Sequence, residues 1–237
     1  MMHNLLPYLL LIIVPMLLGL WAQAKISLAF RRWGKVQSRS GLTGADVARR
    51  ILAAAGIRDV EVVPIAGSLT DHYDPRTKQV ALSEPVYSQG SIAALGIAAH
   101  EVGHAIQHAR RYTPMYLRSA IVPVTTFASR LLPILIMAGI FLPMLLGLGG
   151  ALTVQIILVI VACYAVLAIF QLVTLPVELN ASHRAKVILS EMGITPQDEA
   201  VGVRQMLNAA ALTYVAAFVV TLGQLLYWVF ILLGRRR

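Results

Sequence analysis

The stretch that decides the fold is residues 131–175, which read LLPILIMAGIFLPMLLGLGGALTVQIILVIVACYAVLAIFQLVTL. No Asp, Glu, Lys or Arg interrupts it. Two apolar runs lie on either side of a glycine group (Gly147, Gly149, Gly150), and each is long enough to cross a hydrocarbon core of about 30 Å as a helix. Because glycine permits a tight reversal of the chain, this stretch predicts a transmembrane hairpin of two helices.

Two further uncharged segments, residues 5–24 and 211–233, are long enough to span a bilayer. The first ends in Ala22-Gln23-Ala24, the small-x-small form of a signal-peptide cleavage site. However, the chain begins Met-Met-His-Asn, without the Lys or Arg of such a peptide, so we predict a retained anchor. Residues 119–130 are apolar but contain Arg130, which is typical of a helix at the membrane interface.

The composition agrees with a membrane protein. Apolar residues make up 58% of the 237 residues and charged residues only 13%, and the mean hydropathy is +0.73. These values exclude a disordered chain, and the lone Cys163 excludes an intrachain disulfide framework. We interpret Cys163, which lies in an apolar run, as an inert packing residue.

The net charge of +9 is concentrated beside the apolar segments. Residues 25–39 carry five Lys or Arg and no acid, and Arg235, Arg236 and Arg237 end the chain. This distribution fits anionic lipid headgroups, and without a nucleic-acid motif or a basic-aromatic stripe we expect no nucleic acid partner.

Counting spans places residues 25–118 and 176–210 on the same side of the bilayer. That side holds all eleven acids and most of the basic residues. The excess of Lys and Arg in cytoplasmic loops then predicts that this side is the cytoplasm. The three terminal arginines conflict with this orientation, since the same count of spans places them on the opposite side.

The polar part shows mixed local signals. Thr43 and Asp46 form an acidic variant of a capping box at the start of a helix that ends at Gly56. Residues 60–63 predict a short strand, and residues 69–73 with 79–82 predict a hairpin. Residues 91–109 predict an alanine-rich helix that is buried on nearly all sides.

That buried helix contains His100-Glu101-Val102-Gly103-His104, the H-E-x-x-H pattern of zinc hydrolases. Residues four apart lie on one helix face, so both imidazoles can reach one ion while Glu101 takes a proton from water. With six His and six Glu in the chain, chance would give the pattern about 0.004 times per shuffled sequence. The alternative is two structural histidines, but it needs buried partners that the neighbouring sequence does not offer.

A catalytic zinc takes three protein ligands and keeps one open position. His108 lies about 12 Å from His100 along the helix axis, which is too far for the two residues to share an ion. Glu178 is the better candidate, because the predicted hairpin returns the chain to the same side just before it. The alternative for Glu178 is a carboxylate favoured by the helix dipole.

At these residues the sequence resembles the YugP-like family of bacterial membrane zinc metallopeptidases. The matching strings are LTDHYDPRT (69–77), LSEPVY (82–87), AHEVGHAIQH (99–108), PVE (176–178) and LNAAALTYV (207–215). The arrangement is also similar to that of the wider membrane gluzincins, in which H-E-x-x-H and a later E-x-x-A-D flank a transmembrane hairpin. The resemblance implies that His100, His104 and Glu178 bind one zinc ion per chain and that Glu101 is the general base.

The sequence departs from the gluzincin pattern at Ser182, which stands where the wider group has Asp. The residue that orients Glu178 is therefore left open between Ser182 and, less favourably placed on a regular helix, Asn180. His72, Tyr73 and His183 are candidate oxyanion donors, and each is equally explained as an ordinary polar residue. The predicted 69–82 hairpin resembles the edge strand on which gluzincins pair an extended substrate.

The sequence thus predicts a mainly α membrane protein with about four transmembrane helices and a small α+β cytoplasmic zincin-like metallopeptidase domain. By resemblance it would be a multi-pass protein of the bacterial inner membrane that hydrolyses peptide bonds, with membrane-protein quality control as a plausible role by analogy. One alternative is an intramembrane-cleaving metalloprotease, although the L-D-G motif of such enzymes is absent. The other is a silent membrane scaffold that keeps a structural metal.

Overall fold

A computed structural model describes residues 5–146 and 151–234 of the chain. The fold is mainly helical and includes a small three-stranded sheet, as predicted. The glycine turn predicted at residues 147–150 and the arginines at 235–237 lie outside the described residues.

Four helices in the described part of the chain are long and apolar enough to cross a membrane, which agrees with the predicted number. The first begins as α1 (Leu5–Tyr8), passes through a π-helical turn (Leu9–Ile13) and continues as α2 (Val14–Trp33). The candidate spans are Leu6–Trp33, Thr113–Gly139, Leu152–Glu191 and Glu199–Gly234.

The chain divides into two compact units. Unit 1 comprises the described residues of 1–21, 117–174 and 214–237, and unit 2 comprises residues 22–116 and 175–213. Within unit 1, apolar side chains of two long helices pack together, with Ala128 and Leu132 in one cluster with Ile160, Cys163 and Tyr164. Cys163 is a buried, free cysteine, in agreement with its interpretation as a packing residue.

Unit 2 is a small α+β structure built around one buried helix. Its elements before that helix are, in chain order, α3 (Gly44–Ala54), β1 (Glu61–Ile65), β2 (His72–Asp74), β3 (Gln79–Ser83) and α4 (Glu84–Ser88). The central helix is α5 (Ile92–Ala109), in which every residue from Ile92 to Gln107 is buried. Ser91 caps its N-terminus by accepting a hydrogen bond from the backbone N–H of Ala94. The predicted burial on all sides is confirmed.

The capping box at α3 is also confirmed. The Thr43 hydroxyl accepts a hydrogen bond from the Asp46 backbone N–H at 3.1 Å, and the Asp46 carboxylate accepts one from the Thr43 N–H at 3.0 Å. The Thr43 hydroxyl also donates to the Asp46 carboxylate at 2.6 Å. This bond, together with the one from the Thr43 N–H, holds the pKa of the Asp46 carboxyl below its usual value. The cap fixes the start of a helix whose Val47, Ile51 and Leu52 pack into the core.

The sheet has the order β1-β3-β2, so β2 lies at one edge. β2 pairs antiparallel with β3, which confirms a hairpin, whereas β1 pairs parallel with β3. The first strand of the hairpin begins at His72 rather than at Leu69. Leu69 has φ +58°, outside the extended region, and Asp71 instead accepts hydrogen bonds from the backbone and hydroxyl of Ser83.

Three helices are longer than the apolar runs predicted from sequence. They are α6 (Thr113–Leu146), α7 (Ala151–Glu191) and α8 (Glu199–Gly234). Residues 119–130 therefore do not form a separate helix but belong to α6. α7 continues through Pro176 into the segment that carries Glu178. Periodicity and charge indicate which part of a helix can lie in lipid. They do not indicate where the helix ends, because a helix that has formed can continue through polar residues.

Candidate metal centre

Three buried side chains from two helices of unit 2 converge on one point. α5 supplies His100 and His104, and α7 supplies Glu178. Their ligand-type atoms all lie within 4.8 Å of one another. The Oε2 atom of Glu178 is 3.3 Å from the Nε2 atom of His100 and 3.4 Å from the Nε2 atom of His104. The exposed fractions are 8%, 7% and 2% for His100, His104 and Glu178.

The helical spacing of the two histidines produces this convergence. Since residues four apart are neighbours on a helix face, the imidazole centroids of His100 and His104 lie 4.8 Å apart, with their planes at 84°. His108, one turn further on, is not in this group. Its Nδ1 atom instead lies 2.8 Å from the Tyr73 hydroxyl on β2.

Gly103 lets α7 approach α5 closely at this point. A Cβ atom on Gly103 would lie 2.9 Å from the backbone oxygen of Ala181 and 3.3 Å from its Cα. Because the obstacle is backbone rather than a flexible side chain, even alanine at position 103 would require the helices to move apart. The glycine inside the H-E-x-x-H pattern therefore places Glu178 within reach of the histidines.

Burial shapes the electrostatics of the site. It raises the pKa of the Glu101 carboxyl, against the opposing effect of the neighbouring His100 and His104 imidazoles. Burial alone would lower the pKa of His104, but the hydrogen bond and charge of Glu178 outweigh it, and the pKa of His104 is raised. Glu101 itself is buried, with 8% of its surface exposed.

The other nitrogen of each histidine has a side-chain partner. The Nδ1 atom of His100 lies 3.2 Å from the Ser182 hydroxyl, and the Nδ1 atom of His104 lies 3.0 Å from the Oε1 atom of Gln107. The sequence argument that buried partners are lacking was therefore wrong. These partners contact Nδ1, however, and the Nε2 atoms face Glu178 at the shared point, which is the arrangement that a metal needs.

The structure gives contacts for both Ser182 and Asn180. Ser182 contacts His100, and Asn180 accepts a hydrogen bond from Gln107 at 3.0 Å. Ser182 therefore contacts a histidine of α5 directly, and Asn180 is linked to the other through Gln107. Sequence reasoning missed Gln107 itself, although its position one helical turn after His104 places it on the same face.

The three candidate oxyanion donors differ in their exposure and in their contacts. His72 is exposed on β2, and its Nδ1 atom contacts the backbone oxygen of Thr70 at 2.8 Å. His183 is also exposed and lines a cavity of about 480 Å³ together with Asn180 and Arg184. Tyr73 contacts α5 through His108.

The Tyr73 hydroxyl is half-buried at the edge of the sheet. Burial, reinforced by the charges of Asp59 and Asp74, raises its pKa to about 12. The hydroxyl therefore keeps its proton at neutral pH and can act as a hydrogen-bond donor. In the structure its partner is the Nδ1 atom of His108.

Comparison with known proteins shows similarity over most of the chain. The family model described as "Putative neutral zinc metallopeptidase" matches residues 8–233. "Putative membrane protease YugP" of Bacillus subtilis (strain 168) is 49% identical to this chain over 219 residues, which cover 92% of this chain and 93% of that protein. No solved structure gave a significant match. The resemblance seen in the sequence is confirmed.

Proposed function

Because the chain belongs to the family of "Putative neutral zinc metallopeptidase" proteins, we propose that it is a zinc-dependent membrane endopeptidase. The observation that carries this proposal is the buried convergence of His100, His104 and Glu178. The proposed ligands are these three side chains, binding one zinc ion per chain.

The donor set fits zinc by its chemistry. Two imidazole nitrogens and one carboxylate oxygen are typical of catalytic zinc sites, in which three protein ligands leave one position open. A site closed for structure alone normally has four protein ligands. In the part of the chain that the structure describes, the group of metal-type side chains here contains three, which favours the catalytic alternative over a silent scaffold.

We assign the proton transfers to Glu101. Zinc bound at this site would polarise the scissile carbonyl and lower the pKa of a coordinated water. Glu101, next to His100, would accept the proton of the attacking water and deliver it to the departing amine. Its burial supports this role, since a carboxylate in such a site binds a proton more readily than one in water.

The metal requirement gives the direct test. Treating the detergent-purified protein with 1,10-phenanthroline should abolish its cleavage of fluorescein-labelled casein, because the chelator removes the metal. Added zinc should restore cleavage, whereas magnesium should not, since magnesium prefers oxygen ligands. Cleavage that persists in the chelator after metal analysis shows no zinc would contradict the proposal.

We further propose that unit 2 lies in the cytoplasm and that the site works outside the hydrocarbon core. Two observations support this placement: α5 is not among the candidate spans, and the flanking segment 25–39 carries five basic residues and no acid. A lipid bilayer and a protein or peptide are then the partners of this protein, and misassembled membrane proteins are a substrate class reached by analogy.

Cysteine labelling tests this orientation. In a Cys163→Ser background, Ala53→Cys on the exposed end of α3 should react with a membrane-impermeant maleimide only after spheroplasts are lysed. Gly234→Cys, at the end of α8, should react in intact spheroplasts. If residues 176–210 lie in the cytoplasm, the fourth span leads from there to the outer side of the membrane. Labelling of Ala53→Cys in intact spheroplasts would place unit 2 on the opposite side.

A further inference from the structure

Four polar side chains of unit 2 form a hydrogen-bonded chain, called the relay below, that ends at the proposed metal ligand His104. The Nε atom of Arg184 donates to the Oδ1 atom of Asn180 at 2.7 Å, and the Nε2 atom of Gln107 donates to the same oxygen at 3.0 Å. Gln107 Nε2 also donates to the backbone oxygen of Val177 at 2.8 Å. The Oε1 atom of Gln107 then lies 3.0 Å from the Nδ1 atom of His104. We propose that Gln107 is a positioning residue, which fixes the tautomer of His104.

The direction of each hydrogen bond follows from what each group can do. A guanidinium only donates, so the atom of Asn180 that faces Arg184 must be its oxygen. A backbone carbonyl only accepts, so the atom of Gln107 that faces Val177 must be its amide nitrogen. These two contacts fix the orientation of both amides.

The consequence at His104 is specific. Since Gln107 presents its oxygen to Nδ1, Nδ1 must carry the proton of the neutral imidazole. The lone pair is therefore on Nε2, the atom that lies 3.4 Å from Glu178 Oε2 in the metal-type group. Histidine ligands of metals are commonly fixed in this way by a partner of the other ring nitrogen.

The surroundings make this orientation hard to reverse. Gln107 is 0% exposed, so water cannot replace a lost partner of its amide. Rotating the amide by half a turn would set its oxygen against the carbonyl of Val177 and the oxygen of Asn180. His100 differs, because the Ser182 hydroxyl that contacts it can either donate or accept. The relay thus determines the tautomer of one of the two histidines.

The experiment compares zinc affinity among variants of the full-length protein in detergent. The inference rests on the proposed metal centre, so the readout is zinc affinity by chelator competition rather than proteolysis. Gln107→Met, which keeps the length but not the polar atoms, should weaken zinc binding roughly 10–100-fold. It should also shift the visible absorption of the Co²⁺-substituted protein, because the geometry of the His104 ligand changes.

The half-buried Asn180 supplies a matched pair of variants. Asn180→Asp retains the accepting oxygen and should keep zinc affinity close to wild type, whereas Asn180→Leu removes the acceptor and should weaken it several-fold. This pair decides the question even if Gln107→Met does not fold. Wild-type affinity in Gln107→Met, or equal losses in the two Asn180 variants, would overturn the relay. A wild-type protein that binds no zinc would overturn the metal centre itself, and the relay with it.

Discussion

Replacing Glu101 by Gln should reduce peptide hydrolysis by roughly 10²–10⁴-fold while zinc content stays at the wild-type level. The expected loss follows from the role assigned to the carboxylate, since an amide cannot accept the proton of the attacking water. The zinc should remain because the converging ligand-type atoms belong to His100, His104 and Glu178, not to Glu101. The substitution is nearly isosteric, so the packing of the buried position should be preserved.

Cleavage of fluorescein-labelled casein and metal content, measured on the same preparation, check this prediction together. Glu61→Gln is the matched control: it makes the same chemical change in the same unit, at an exposed position on β1. Its activity should equal that of the wild-type protein. If Glu101→Gln cleaved casein at the wild-type rate, Glu101 would not be the base, and any activity would have to arise elsewhere.

Much of the candidate metal centre could be predicted because its pattern is local in sequence. His100 and His104 lie four residues apart on a helix, and helix geometry alone places them on one face. The N-terminal caps at Thr43 and Ser91 are local for the same reason. Glu178 is distant in sequence, yet its convergence with the histidines could be predicted, because the two apolar runs between it and His104 predict a hairpin that returns the chain to the same side.

The features that escaped prediction depend on how separate segments meet. β1 pairs parallel with β3, although β2 lies between the two strands in the sequence. The residues of β1 do not indicate which strand is their partner. The contacts of Ser182 with His100 and of Gln107 with Val177 likewise depend on the close packing of α5 against α7 at Gly103. Such contacts are fixed by tertiary geometry, which neither spacing nor propensity encodes.

Replacing Glu178 by Ala should remove zinc from the protein. The wild-type chain should carry about one zinc ion, as expected for a three-ligand site, and the variant should lose nearly all of it on dialysis. Two imidazoles alone hold the ion too weakly, and the carboxylate that lies 3.3–3.4 Å from both Nε2 atoms would be gone. Cleavage of casein should be lost with the metal. Metal content by mass spectrometry on detergent-purified protein is the measurement.

A second glutamate on the same helix separates loss of a ligand from general damage to α7. Glu191 is the last residue of α7 and is exposed, so Glu191→Ala should retain both zinc and activity. The buried position of Glu178 also requires a check of folding, because its removal deprives His100 and His104 of their ionic partner. Glu178→Gln keeps the side-chain volume and should still bind zinc poorly, since a neutral amide oxygen is a weaker ligand. Full zinc occupancy in both Glu178 variants would exclude Glu178 from the ligand set, and the third ligand would then have to come from another residue.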